Sequence, residues 1–265
     1  MNILEQIIAS KKKEVRVLKE AMPLKELTKS EFYDRRCVSL KAVLQRSGYP
    51  RIIAEFKRKS PSLGMISEQA QVEKVIPGYV EAGAAAVSVL TDYPYFGGRP
   101  EDLACARVLV PVPLLRKDFI IDEYQLHEAK SLGADLVLLI AASLTRARAA
   151  RLARQAKSLG LEVLLEIHEE KELAYLNEHV DIAGINNRNL KSFHVDTGTS
   201  LELGKKVPEE FLKISESGLQ LASTVADLFG AGFRGFLMGE AFMSKTSPEE
   251  ACRSFIMQLN SLKTG

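Results

Sequence analysis

One pattern recurs along the chain: a helical stretch, a glycine, a few residues, then an apolar run. It reads EAGAAAVSVLT at 81–91, SLGADLVLLIAA at 131–142, SLGLEVLLEI at 158–167 and GAGFRGFLMG at 230–239. Each glycine falls where a helix C-cap belongs, just ahead of a strand. Further apolar runs suit strands at VPLLRK (112–117), DIAGIN (181–186) and FLKISE (211–216), and the stretch opening at Arg51 brings the strand count to eight. Amphipathic stretches such as EYQLHEAKSLG and TRARAARLARQAKSLG lie between them. Strands alternating with helices imply parallel pairing through right-handed crossovers. Eight such units in about 215 residues have the size of a (β/α)8 TIM barrel; a doubly wound open sheet is the alternative. Residues 1–50 precede the first strand and look helical. They are expected to form an N-terminal helical extension covering the barrel mouth, with 51–265 as the catalytic barrel of one structural domain.

Residues 230–235, GAGFRG, match GxGxxG. A dinucleotide fingerprint must follow a strand and open a helix. This one follows a helical stretch and precedes an apolar run, so it is a cap and loop, and no nicotinamide cofactor is expected.

The charge balance is close to neutral, +2 from 36 basic and 34 acidic residues. That excludes a nucleic-acid coat and is compatible with a small anionic substrate. The chain has 265 residues, 46% hydrophobic, enough for a large core. Cys37, Cys105 and Cys252 are scattered and lack metal-ligand spacing, which points to reduced thiols in a cytoplasmic protein. The four histidines do not cluster, so no metal is expected. The first twenty residues lack the apolar core of a signal peptide, and no apolar run approaches the ~18 residues of a membrane span. Lys11-Lys12-Lys13 reads as a solvated helix face.

Polar residues collect where the strands end. In RIIAEFKRKSPSLG (51–64), Glu55 and Lys57 stand two apart and share one strand face. Then come Thr91-Asp92, Lys117-Asp118, Ser143, Glu166, Asn186-Asn187-Arg188, Glu216-Ser217 and Gly239-Glu240. No comparable set marks the N-terminal ends, and barrel active sites lie at the C-terminal ends. Lys117 shares a face with Leu115, so its stem is buried. A desolvated lysine is readily tuned into a general acid or a Schiff-base former. Glu166 shares a face with Leu164; turn capping suffices for Asp92 and Asp118. Ser217-Gly218 and Gly239 end the last two strands, where barrels often bind phosphate through backbone N–H groups at helix N-termini. Ser60 and the forked guanidinium of Arg188 complete a phosphate cradle.

IIAEFKRKSPSLG, VSVLTDYPYFGG, LLRKDFIIDEYQ, LLEIH, GINNRNL, SESG and FLMGEAF, in this order, closely resemble the indole-3-glycerol-phosphate synthase family over nearly the whole chain. The resemblance implies decarboxylating ring closure of 1-(2-carboxyphenylamino)-1-deoxyribulose 5-phosphate in tryptophan biosynthesis, without metal or organic cofactor. It implies Lys117 as general acid, Glu166 as its partner in proton transfer, and Glu55 as an orienting carboxylate. Lys57 is implied as a contact for the substrate's anionic groups with a part in dehydration, and Asn186 and Glu216 as further polar pocket residues. Ser60, Arg188, Ser217, Gly218, Gly239 and the backbone at Glu240 are the implied phosphate site, and Phe96, Phe119 and Pro61 the walls around the anthranilate ring. One departure is visible: Gly97-Gly98-Arg99 stands where the family commonly shows Gln-Gly-Ser or Asn-Gly-Ser. The expected partner is a phosphorylated small molecule, with no nucleic acid and no membrane, acting on a monomer or a weak homodimer. A Schiff-base aldolase or lyase built on Lys117, and a non-catalytic phosphate-binding barrel, are the competing readings.

Overall fold

The computed structural model describes residues 2–46, 48–189 and 192–262. Its strands are β1 (Arg51–Phe56), β2 (Ala86–Leu90), β3 (Leu114–Lys117), β4 (Leu136–Ile140), β5 (Glu162–Ile167), β6 (Ile182–Asn186), β7 (Leu212–Glu216) and β8 (Gly235–Met238). They close in the order β1-β8-β7-β6-β5-β4-β3-β2, and every pair is parallel. Closure removes the open-sheet alternative. A small hairpin, Lys59–Ser60 with Gly64–Met65, follows β1.

The period of two along each strand sorts the residues. Ile53, Ala86, Leu115, Leu138, Leu164, Ile182, Ile214 and Leu237 point into the barrel and form one buried cluster. Their alternating neighbours, among them Ile52, Val87, Leu114, Val137, Val163 and Phe236, pack outward in the cluster that includes the helices. Moving two residues toward the C-terminus keeps a side chain on the same face. Ile53, Leu115, Leu164 and Ile214 are therefore succeeded, still inward, by Glu55, Lys117, Glu166 and Glu216. The charged ring is a consequence of the register.

The N-terminal ends carry their own polar set, contrary to the sequence reading. Asp135 binds Arg35 (2.6 Å) and Arg107 (2.8 Å) and accepts from the backbone N–H groups of Val38 and Leu114. Glu162 accepts from the Ser39 hydroxyl and the Lys41 N–H, and Asp181 binds Lys157. These carboxylates secure the extension and a helix to the barrel floor rather than forming a site. Leu40 and Leu44, on the short helix Leu40–Gln45, join the interior cluster and plug that end.

At the other end lies α1 (Ile3–Ala21), started by a capping box between Asn2 and Glu5. Its Ile7 joins the barrel interior, with Ile3, Leu4 and Ile8 packed alongside. Lys12 and Lys13 are exposed, as a solvated face requires, but Lys11 is only 1% exposed. Its ammonium lies 3.0 Å from Asp92, 2.9 Å from Asp118 and 2.9 Å from Glu14. Three neighbouring lysines concealed one inward member, because a helix turns each residue about 100° from the last. Asp92 does cap the following turn, accepting from the Tyr95 N–H, but both aspartates also hold α1 to the barrel. Burial would raise the Asp118 carboxyl; Lys11 and Arg116 outweigh it and bring it to about 2. That contribution to stability is present above the ordinary carboxylate range and lost as pH falls toward 2. Among the described residues no helix is long and apolar enough to cross a membrane.

Removing one member of a buried ion cluster costs about 3–5 kcal/mol. Lys11→Met should lower unfolding stability by that order in a urea titration, and Lys12→Met should leave it unchanged.

Candidate active site

A cavity of ≈ 220 Å³ opens at the C-terminal ends of the strands. Every residue that the family resemblance implies for the site lines it: Glu55, Lys57, Ser60, Pro61, Phe96, Lys117, Phe119, Glu166, Asn186, Arg188, Glu216, Ser217, Gly218, Gly239 and Glu240. Of the other strand-end polar residues Asp118 lines it, whereas Thr91, Asp92, Ser143 and Asn187 do not. Ile3, Leu4 and Ile7 of α1 supply apolar lining.

On one side is an acid–base cluster. Lys117 Nζ lies 3.1 Å from Glu166 Oε2 and 3.5 Å from Glu216 Oε2. Lys57 Nζ lies 2.8 Å from Glu55 Oε1. Burial alone would lower the Lys117 ammonium, but Glu166, Glu216 and Glu55 outweigh it and hold it well above its ordinary value. The two glutamates diverge. Burial raises Glu216 to about 8, against the pull of Lys117 and with the repulsion of Glu166 and Glu55. Glu166 is buried too, yet Lys117 and His168 hold it well below the usual carboxylate range. At neutral pH Lys117 thus stands as an ammonium between the Glu166 carboxylate and the Glu216 carboxylic acid, a division of labour suited to proton transfer. Glycine makes room for it: a Cβ at Gly184 would stand 2.4 Å from Glu216 Oε1 and 2.9 Å from Leu164 Cδ1.

The opposite side gathers a left-handed turn, a helix start and a guanidinium. Ser217 (φ 68°) and Gly218 (φ 73°) are consecutive left-handed residues. A non-glycine residue holds that conformation only where its surroundings impose it. Here Asn187 Nδ2 donates to the Ser217 carbonyl and to Ser215 Oγ, both at 3.0 Å, and Asn187 Oδ1 accepts from Ser200. The next helix begins only at Ala222, so Ser217-Gly218 is a turn presenting its own N–H groups and not a helix N-terminus. Gly239 does precede a helix, the short Glu240–Met243 segment, whose first N–H groups have no intrahelical acceptor. A Cβ at Gly239 would stand 2.5 Å from Glu55 Oε1, so this glycine also makes room for the carboxylate of β1. Arg188 reaches Glu240 Oε2 (3.0 Å) and Ser62 Oγ (3.3 Å). Glu240 therefore contributes its side chain, by holding the guanidinium, as well as its backbone.

Phe96 and Phe119 form an apolar wall, their ring centroids 6.0 Å apart. The departing loop has a physical reading. Gly97 (φ 64°) is left-handed, a conformation that glycine and asparagine both accept. A Cβ at Gly98 would stand 2.1 Å from the Leu90 carbonyl oxygen, so this position admits no side chain without rearrangement. Arg58 ties the loop down through Asp102 (2.6 and 2.9 Å) and the Gly97 carbonyl.

Three contributions escape the sequence reading. Phe193 and Val195 also line the cavity but sit several residues past the end of β6. His168 Nε2 lies 3.1 Å from Glu166 Oε1, and its signal was present: it stands two residues after Glu166, the spacing that joins Glu55 to Lys57. Lys11 acts one layer out, through Asp118 beside Lys117. Among the described residues no group of three or more His, Cys, Asp or Glu side chains is disposed to hold a metal ion.

A (β/α)8 barrel whose lysine–glutamate cluster faces glycine-rich turns and a guanidinium across one cavity has the architecture of an enzyme. Residues 4–255 match the family model of indole-3-glycerol phosphate synthase. The chain is 48% identical over 255 residues to the indole-3-glycerol phosphate synthase of Bacteroides thetaiotaomicron, covering 96% of this chain and 98% of that one. It is 45% identical over 250 residues to that of Bacillus cereus, covering 92% and 94%. The chain belongs to the indole-3-glycerol-phosphate synthase family. Solved structures with the same fold include the tryptophan synthase alpha-subunit of Pyrococcus furiosus (TM-score 0.60, 13% identity, covering 80% of this chain and 98% of that one). Another is the 3-hexulose-6-phosphate synthase of Salmonella typhimurium (TM-score 0.60, 14% identity, 80% and 99%).

The contact between Gly239 and Glu55 sets an expectation. Gly239→Ala must displace the Glu55 carboxylate, so kcat/KM should fall by about tenfold or more, equivalent to about 1.4 kcal/mol of transition-state stabilisation. The urea midpoint should stay near wild type, and kinetics beside a denaturation curve check both.

Proposed function

We propose that this chain converts 1-(2-carboxyphenylamino)-1-deoxyribulose 5-phosphate into indole-3-glycerol phosphate, carbon dioxide and water, with Lys117 as the acid that starts ring closure. The observation that carries this reading is the Lys117 ammonium between Glu166 and Glu216 at the end of β3.

The chemistry makes matching demands. The aromatic carbon bearing the carboxylate attacks the ketone carbon, and the ketone oxygen takes a proton from Lys117. Loss of carbon dioxide restores aromaticity. The new hydroxyl then leaves as water after accepting a second proton, and one proton departs from the methylene next to nitrogen. Starting from the carboxylate, each turnover takes up one proton. Glu166, held ionised, suits the acceptor role, and a protonated Glu216 or the nearby Lys57 suits the second donation. The phosphate is assigned to Ser60, Ser217, Gly218, Gly239, the Glu240 backbone and Arg188, and the anthranilate ring to Phe96, Phe119 and Pro61. Asn186 accepts from the Arg188 N–H (2.9 Å) and orders that strand end.

In this reading α1 excludes water from the pocket, its Ile3, Leu4 and Ile7 acting as an apolar cover. A cytoplasmic location accords with free thiols at Cys37, Cys105 and Cys252. The expected assembly is a monomer or a weak homodimer.

A Schiff-base lyase needs a neutral amine, and the acidic side chains around Lys117, Glu166 foremost, stabilise its charged form. Borohydride with substrate should therefore trap no adduct; a Lys117 adduct would favour the lyase.

Lys117→Met should reduce kcat about 10²–10⁴-fold while inorganic phosphate still binds. A variant within threefold of wild type would remove Lys117 from the mechanism. Arg188→Ala should raise KM about ten- to a hundredfold, matching loss of a charge-assisted contact of about 1.5–3 kcal/mol, with little change in kcat. Inorganic phosphate should compete less well in that variant. A collapsed kcat with unchanged KM would move Arg188 into the ring-closure step.

A further inference from the structure

Beside the catalytic cavity lies a second one of ≈ 960 Å³, between α1 and the loops after β4, β5 and β6. The two share a wall at Leu4, Asn186 and Arg188. Glu166 faces only the first cavity and His168 only the second, with 3.1 Å between Nε2 and Glu166 Oε1. The other imidazole nitrogen, Nδ1, lies 3.7 Å from Glu172 Oε2. That carboxylate is itself fixed, accepting from the backbone N–H groups of His168 (2.7 Å) and Glu169 (3.3 Å). The His168 side chain is 8% exposed, and neither ring nitrogen makes a well-aligned hydrogen bond.

We propose that His168 is a positioning residue for proton transfer: its imidazolium holds Glu166 Oε1 while Lys117 holds Oε2, which keeps Glu166 ionised and leaves the proton on Glu216. The inference rests on the ring-closure reading above and adds a residue that reaches the substrate only through Glu166.

Both imidazole nitrogens face carboxylate oxygens. A neutral ring would leave a lone pair beside one of them, whereas the imidazolium puts its charge within 3.1 and 3.7 Å of the two carboxylates, an ion pair rather than two formed hydrogen bonds. Burial opposes that charge, but Glu166 and Glu172 outweigh it and raise His168 to about 9. The remaining charged neighbours are balanced, three acids against three Lys or Arg: α1 brings Glu5 and Lys12 to the side cavity, the adjoining turn Glu169 and Lys171, and the loop after β6 Arg188 and Asp196, with His194 beside them. On the barrel side stand Lys117 and Glu216. The ring lines the side cavity rather than the catalytic one.

The test uses the full chain with two variants. His168→Gln keeps a donor without the charge. Its kcat should fall about tenfold at pH 7 with KM unchanged, and the acidic limb of the kcat profile should move up by about one pH unit, since losing a neighbouring cation raises a carboxylate pKa. His168→Ala should be rescued by added imidazole entering through the side cavity, and the rescue should follow the imidazolium fraction. A wild-type kcat and acidic limb in His168→Gln would overturn the proposal. Lost activity in both variants with an unmoved limb and no rescue would do the same, because a merely structural histidine behaves that way. If the wild-type protein does not turn the substrate over, the functional reading fails instead, and NMR titration of the ring decides the claim about His168. Its pKa should lie near 9 and drop by more than about one unit in Glu166→Gln; an ordinary value in wild type contradicts the proposal.

Discussion

The charge balance around Lys117 is the constraint on which the rest of the molecule depends. An ammonium this deep in a barrel is tolerable only with carboxylates at contact distance. Glu166 and Glu216 provide them at 3.1 and 3.5 Å. Two adjacent carboxylates cannot both stay ionised cheaply, so burial and repulsion push the proton onto Glu216 while His168 and Lys117 keep Glu166 charged. Small residues follow from the same need: Gly184 clears space for Glu216 and Gly239 for Glu55.

The extension braces both ends of the barrel that carries this cluster. At the floor, Leu40 and Leu44 fill the barrel end while Asp135 and Glu162 bind the segment around Arg35–Lys41. At the mouth, α1 lines the cavity with Ile3, Leu4 and Ile7 and sinks Lys11 between Asp92 and Asp118. Asp118 adjoins Lys117 in sequence and pairs with Arg116. The helix α1 is therefore connected electrostatically to the strand that ends in Lys117, and loss of Lys11 would leave two buried carboxylates short of a cation.

Much of this was legible in the sequence because strands encode faces with a period of two. The Gly-then-apolar repeats located the strands, and Glu55 with Lys57 revealed an inward ring that the closed barrel brings together. The period was informative only where it was applied, so Glu166 and His168, two apart in the same way, went unjoined. Helical faces were less readable: Lys11 looks like Lys12 and Lys13 until the tertiary fold selects which lysine points inward. The polar clamps at the barrel floor were invisible because Asp135, Glu162 and Asp181 meet partners distant in sequence. The Ser217-Gly218 turn was misjudged as a helix start, since a left-handed serine depends on Asn187 reaching across from the neighbouring strand end.

The central claim is that this cluster performs acid-driven ring closure. The most direct measurement is incubation of the purified protein with 1-(2-carboxyphenylamino)-1-deoxyribulose 5-phosphate, following indole fluorescence and released carbon dioxide together. The account predicts an indole product and carbon dioxide in equal amounts. Consumption of substrate without an indole chromophore, or binding without turnover, would contradict it.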